Sequence, residues 1–131
     1  MAITKAPGRQ EVVCARVTGT FGTGNDVAAT GTYAAIDVPT GAVVVGGHLV
    51  ISDATTATVD VHVGDGGVDN RYANNVDGAA TGLTALVPTG YVYPAKDTID
   101  IMIDTAAPEA AGAFELVVLY VVDGRVAFSQ G

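Results

Sequence analysis

A chain of 131 residues is long enough for one domain with a substantial core and too short for two. Charged residues make up 15% against 49% hydrophobic, a low share for the surface of a free monomer, and the formal net charge of −8 leaves only two lysines and four arginines. This balance excludes a basic stripe for nucleic acid, disfavours an anionic membrane surface, and comes with no apolar run long enough to span a bilayer.

The chain opens with Met1-Ala2-Ile3-Thr4-Lys5-Ala6-Pro7-Gly8-Arg9, which has no hydrophobic signal core, so Sec-type secretion is not expected. Residues 1–9 carry two of the six basic side chains and Pro7-Gly8, and read as an extended arm ahead of a single β-sandwich domain over 10–131. Helix formers are scarce beyond that point, while Val, Thr and Gly dominate, so strands are expected throughout.

The first predicted strand covers 10–18, where Val12-Val13-Cys14-Ala15 makes the lone Cys14 read as a small buried hydrophobe. A Gly-rich stretch from Gly19 to Asn25 ends it. The second covers about 30–38 and closes at Pro39-Thr40-Gly41; the third, 42–51, carries a bulge or kink at Gly46-Gly47. A fourth alternates Val59, Val61 and Val63 on the core face with Thr58, Asp60 and His62 on a solvated one. The Asp-, Asn- and Gly-rich stretch from Gly64 to Gly82 reads as a long loop, with Asp69, Asn70, Arg71 and Tyr72 expected at its exposed part. A short strand at Tyr91-Val92-Tyr93 precedes Pro94, and the next points Ile99, Ile101 and Ile103 inward and Asp100, Met102 and Asp104 outward.

Residues 114–122, Phe-Glu-Leu-Val-Val-Leu-Tyr-Val-Val, are apolar on both faces with Glu115 the single charge. A half-buried strand alternates in polarity, so both faces of this one are expected to be covered, one by the opposite sheet and one by a second copy of the chain. Leu116, Val118, Tyr120 and Val122 are the residues expected at that oligomer interface. Asp123-Gly124 then reads as a two-residue hairpin turn into a last strand at 125–129. About eight short strands in one chain predict an all-β, two-sheet antiparallel sandwich of jelly-roll type.

Catalytic sets are missing. The only serines, Ser52 and Ser129, lack a nucleophile-elbow pattern. His48 and His62 lie on separate strands, and His62 beside Asp60 reads as a solvated polar pair. Asp100 and Asp104 share a strand face but stand about 13 Å apart along it, beyond the roughly 5–9.5 Å of a glycosidase pair. Asp65, Asp69, Asn70 and Asp77 could offer oxygens to calcium, though not at EF-hand spacing, and zinc has no Cys/His cluster. Gly22-Thr23-Gly24 and Gly64-Asp65-Gly66-Gly67 lack the lysine of a phosphate loop. The chain is therefore not expected to be an enzyme or to hold a cofactor.

The succession Val38-Pro39-Thr40-Gly41-Ala42-Val43-Val44-Val45, then Val59-Asp60-Val61-His62-Val63-Gly64-Asp65-Gly66, Arg71-Tyr72, Tyr91-Val92-Tyr93 and Gly112-Ala113-Phe114-Glu115-Leu116-Val117-Val118-Leu119-Tyr120 resembles the capsid decoration (cement) proteins of tailed bacteriophages over about 35–122. The motifs are strand and turn signatures. The resemblance implies a jelly-roll sandwich that forms a homotrimer on the outer surface of the virion head. There it would fasten neighbouring major capsid subunits together after synthesis in the host cytoplasm. Lys5 and Arg9, on an otherwise acidic protein, would anchor on acidic grooves of the shell. A small head-fibre, tail or receptor-binding module is the alternative, with the loop around Asp69, Asn70, Arg71 and Tyr72 meeting a host glycan.

Overall fold

The computed structural model describes residues 10–22, 24–56, 58–104 and 112–126, and these form eight strands without a helix. The strands are β1 (Gln10–Thr20), β2 (Gly31–Val38), β3 (Ala42–Asp53), β4 (Asp60–Gly64), β5 (Ala73–Asp77), β6 (Gly82–Ala85), β7 (Asp97–Ile103) and β8 (Ala113–Val126). They build two four-stranded sheets in the orders β1-β8-β3-β6 and β2-β7-β4-β5, with every strand pair antiparallel. This interleaving, first strand beside last and second beside seventh, is the jelly roll that the strand count predicted.

Period-two burial fixes which face each strand turns inward. Val38, Val61, Val63, Ile99, Ile101 and Ile103 line one sheet's inner face and Val44, Leu49, Ile51, Leu116 and Val118 the other's, all at most 2% exposed. Each such side chain contributes about 1.5–3 kcal/mol relative to full exposure. Phe21 and Phe114 close one end of the sandwich with ring centroids 5.0 Å apart.

The strand set differs from the expected one at both of its late segments and within the Asp- and Asn-rich stretch. Residues 91–93 make only the bridge Val43↔Val92, with Tyr93 exchanging backbone hydrogen bonds with Gly41 and Ala42, because Pro94 stops the segment. Asp123-Gly124 is not a turn: β8 continues to Val126, which pairs with Gln10. The register between Gln10↔Val126 and Val12↔Val121 advances two residues on β1 and five on β8, so the turn signal is absorbed as a bulge. The expected return strand beyond 126 lies outside the described residues.

Within the Asp- and Asn-rich stretch, β5 and β6 are strands that sequence pattern missed. Ala-Asn-Asn-Val-Asp and Gly-Leu-Thr-Ala carry little β propensity, and both lie at sheet edges, where short polar strands are tolerated. The bulge at Gly46-Gly47 is present as a register shift between Val44 and Gly46 against β8.

Candidate interaction surfaces

β8 is the central feature of its sheet, flanked by β1 and β3. Its phase is the reverse of the one expected for an interface. Leu116 and Val118 are 0% exposed and Tyr120 8%, so all three belong to the chain's own core, and Val122 packs against that core as a half-buried residue. The residues that β8 presents outward are Glu115, Val117, Leu119 and Val121, each half-buried. Register extends that face sideways: Val12, Cys14 and Arg16 on β1 stand opposite Val121, Leu119 and Val117, and Val43, Gly46 and His48 on β3 stand opposite the same three. Cys14 is therefore exposed on the sheet surface rather than buried, since its neighbours Val13 and Ala15 take the inward positions.

Large apolar side chains stay open to solvent here: Val12 at 53%, Val45 at 44% and Leu83, on edge strand β6, at 63%. The charged pair on this face satisfies itself. Arg16 Nε and Nη2 donate to the two Glu115 carboxylate oxygens at 2.9 and 3.0 Å, and this bidentate bond holds the Glu115 carboxyl below its ordinary range.

The other sheet has the opposite character. Asp37, Asp60, Asp77, Asp97, Asp100 and Asp104 lie on β2, β4, β5 and β7 or directly beside them, and Asp65 and Asp69 lie on the β4–β5 connection. Two residues expected on a solvated face here are buried. His62 is 4% exposed; its Nδ1 accepts the Asn75 backbone N–H at 3.3 Å and its Nε2 faces Asp104 Oδ2 at 3.2 Å, so its carboxylate partner is Asp104 and not Asp60. Asp100 is 5% exposed and accepts a hydrogen bond from the Thr98 hydroxyl. Burial pushes its carboxyl up; the Thr98 bond opposes this, and the negative charges of Asp97 and Asp65 add to it.

With the folded value above the unfolded one, ionised Asp100 costs stability at neutral pH, and that cost disappears as pH falls through the folded value. Asp100→Asn keeps an acceptor for Thr98 and is expected to stabilise the fold at neutral pH, by on the order of 1 kcal/mol. Urea unfolding at neutral and mildly acidic pH checks this; the advantage should shrink in acid.

The β4–β5 connection is tied down from within. Tyr72, expected to be exposed, is 2% exposed, and its hydroxyl bonds the Tyr93 hydroxyl at 2.7 Å. Tyr93 in turn donates to Asp65 Oδ2 at 2.7 Å. Asp65 also accepts from the Gly67 and Val68 backbone N–H groups at 3.0 and 2.9 Å and forms an ion pair with Arg71, whose guanidinium lies 3.7 Å from the centre of the Tyr91 ring. Burial alone would raise the Asp65 carboxyl, but the bonds from Arg71, Tyr93 and the two backbone groups outweigh it and hold it below the usual range. Burial drives the Tyr72 and Tyr93 hydroxyls the other way.

Of the four residues expected at the loop surface, only Asp69 and Asn70 are exposed; Arg71 is half-buried beside Asp65. Asp65 is committed to this network, Asp77 caps the Ala79 N–H, and Asn70 bonds Asn74, so the four proposed calcium oxygens are not gathered on one point. Among the described residues no group of three or more His, Cys, Asp or Glu side chains could hold a metal ion. Lys5 and Arg9 lie outside the described residues.

No family model matches this chain, and no curated protein matches it. Among solved structures, a chain of the cyanophage Pam1 capsid asymmetric unit has the same fold with a TM-score of 0.71 and 22% identity, over 93% of this chain and 92% of that one. A chain of the acid-stable capsid of Helicobacter pylori bacteriophage KHP30 follows at a TM-score of 0.65 and 22% identity, covering 87% of this chain and 90% of that one. A chain of the capsid of Ralstonia phage GP4 has a TM-score of 0.62 and 18% identity, covering 95% and 93%. At these identities the likeness is one of fold: an end-to-end jelly roll that also occurs in phage capsids.

Proposed function

We propose that this chain is a non-enzymatic structural protein of a tailed-phage virion, a decoration protein that sits as a homotrimer on the outside of the assembled head and ties neighbouring major capsid subunits together. The observation that carries the reading is the near-complete mutual coverage with chains of three phage capsid structures, 92%, 90% and 93% of those chains. The matched chains are thus small jelly-roll components of a similar size to this one. A protein of this kind performs no chemistry; binding the assembled lattice in preference to free subunits stabilises the lattice by mass action. Three weak contacts per trimer then act together through effective concentration. The basic arm with Lys5 and Arg9 is the proposed contact with acidic grooves of the shell. The fibre or receptor-binding alternative loses support because Arg71 and Tyr72 are turned inward, leaving no aromatic side chain on that part of the β4–β5 connection for a glycan.

Sedimentation with assembled heads tests the proposal. The protein should pellet with expanded heads, leave free coat protein unbound, and raise the heat resistance of the heads. Lys5→Glu together with Arg9→Glu should weaken the binding. Equal affinity for free subunits, or heads no more resistant with the protein than without it, would overturn the reading.

A further inference from the structure

We infer that the outer face of the β1-β8-β3-β6 sheet is the surface through which copies of this chain join, with β8 at its centre. This deepens the reading above: it rests on the proposed self-association and not on the capsid binding. Three observations carry it. Each of the four strands presents apolar side chains on this face, with Val12 on β1, Val117, Leu119 and Val121 on β8, Val45 on β3 and Leu83 on β6, and Arg16, Glu115 and His48 form the polar part of it. β1, β8 and β3, of 11, 14 and 12 residues, with the four-residue β6 along one edge, lie about 4.8 Å apart and rise about 3.4 Å per residue, which gives a face of roughly 20 by 30 Å at its widest. That is about 600 Å², at the top of the ~300–600 Å² of the largest patch on a typical monomer and approaching the ~800 Å² that each partner contributes to a stable interface.

Charge then selects the occupant. Two chains of net charge −8 repel each other wherever their acidic surfaces meet, and eight of the eleven aspartates lie on or beside β2-β7-β4-β5 and its connections; the other three are Asp26 beside the end of β1, Asp53 at the end of β3 and Asp123 in β8. On the apolar face Arg16 and Glu115 neutralise one another within the chain, so a like-charged copy can approach here without leaving a buried charge unpaired. Gly46 stands opposite the half-buried Leu119 without a side chain of its own, and a Cβ added there would lie 3.6 Å from the Leu119 methyl, so nothing on β3 covers that leucine from this position. In a three-fold ring the three equivalent faces turn toward the axis and the acidic sheets turn outward.

Cys14, the only cysteine of the chain, lies on this face opposite Leu119 and reports on it without any mutation. In light scattering the protein should behave as three chains, and maleimide should label Cys14 on the order of tenfold more slowly than it labels a dissociated variant, as for a group reached only from a minor open population. Leu119→Glu, and independently Val12→Glu on the exposed edge strand, should give folded monomers with fast Cys14 labelling. Thr32→Glu, which adds the same charge to the exposed surface of β2, should leave the trimer and the protection intact. A wild-type monomer with fully reactive Cys14 would overturn the inference together with the self-association. An oligomer that survives both face substitutions and leaves Cys14 reactive would overturn the face alone. An oligomer that behaves as expected but fails to pellet with heads would sink only the decoration role.

Discussion

Asp65→Asn is expected to lower folding stability by about 3–5 kcal/mol, the range for removing one partner of a buried ion pair. The carboxylate is 3% exposed and receives five hydrogen bonds: two from the Arg71 guanidinium, one from the Tyr93 hydroxyl and two from the Gly67 and Val68 amides. Every one of those partners donates. An amide in place of the carboxylate supplies one acceptor oxygen and turns its own two protons toward donors, while Arg71 is left charged and largely enclosed. The damage should spread along the hydroxyl chain to Tyr72, because Tyr93 then lacks the acceptor that orients it. Since the folded value of Asp65 lies below its unfolded one, the stability it contributes is present above the unfolded carboxylate range, about 3.9, and is lost as pH falls through the folded value. Denaturant curves of both proteins across the acid range test this. The difference should be largest near neutrality and should close in strong acid.

Gly47→Ala is the second large effect, expected to cost at least about 3 kcal/mol, in the class of backbone-conformation losses. Gly47 has φ +128°, a conformation that side chains resist, and a Cβ there would stand 2.1 Å from the Val117 carbonyl oxygen. That oxygen belongs to β8, so relief requires β3 to pull away from the central strand. The adjacent Gly46→Ala is the matched control: its φ is not in that region, its Cβ would make only an ordinary 3.6 Å contact with the Leu119 side chain, and its cost should stay below about 1 kcal/mol. Chemical denaturation of the pair measures the difference; equal losses would mean that the bulge is not held by this close approach.

The fold was legible in the sequence because its inner-face residues repeat with period two. Ile99, Ile101 and Ile103, and likewise Val61 and Val63, declared their strands and their phase without help. The strand β8 declared itself equally clearly but not its orientation. Phe114, Leu116, Val118 and Tyr120 are no more apolar than Val117, Leu119 and Val121, and what settles the phase is remote: Phe114 meets Phe21, and Leu116 and Val118 enter the same core as the isoleucines of β7. The inward-turned parts of the candidate site were hidden for a similar reason. Tyr72 looks like one residue of a polar loop until its hydroxyl is seen to meet Tyr93, 21 positions later. His62 reads as solvated until Asn75 and Asp104 close over it from two other elements. Strand signals at Ala73–Asp77 and Gly82–Ala85 are weak because partners across the sheet, rather than local propensity, hold those edges.

The placement of β8 between β1 and β3 has a consequence for how the molecule comes into being. Its neighbour β1 is separated from it by most of the sequence and β3 by nearly half of it, and β2 likewise waits for β7. During synthesis neither sheet can close around its centre until the late strands have left the ribosome, so β1 has no strand partner until β8 is made, and β3 can pair only with the short edge strand β6 before then. A chain interrupted before Ala113 would carry two open edges and half an exposed core, and would be a substrate for chaperones or proteases rather than a building block.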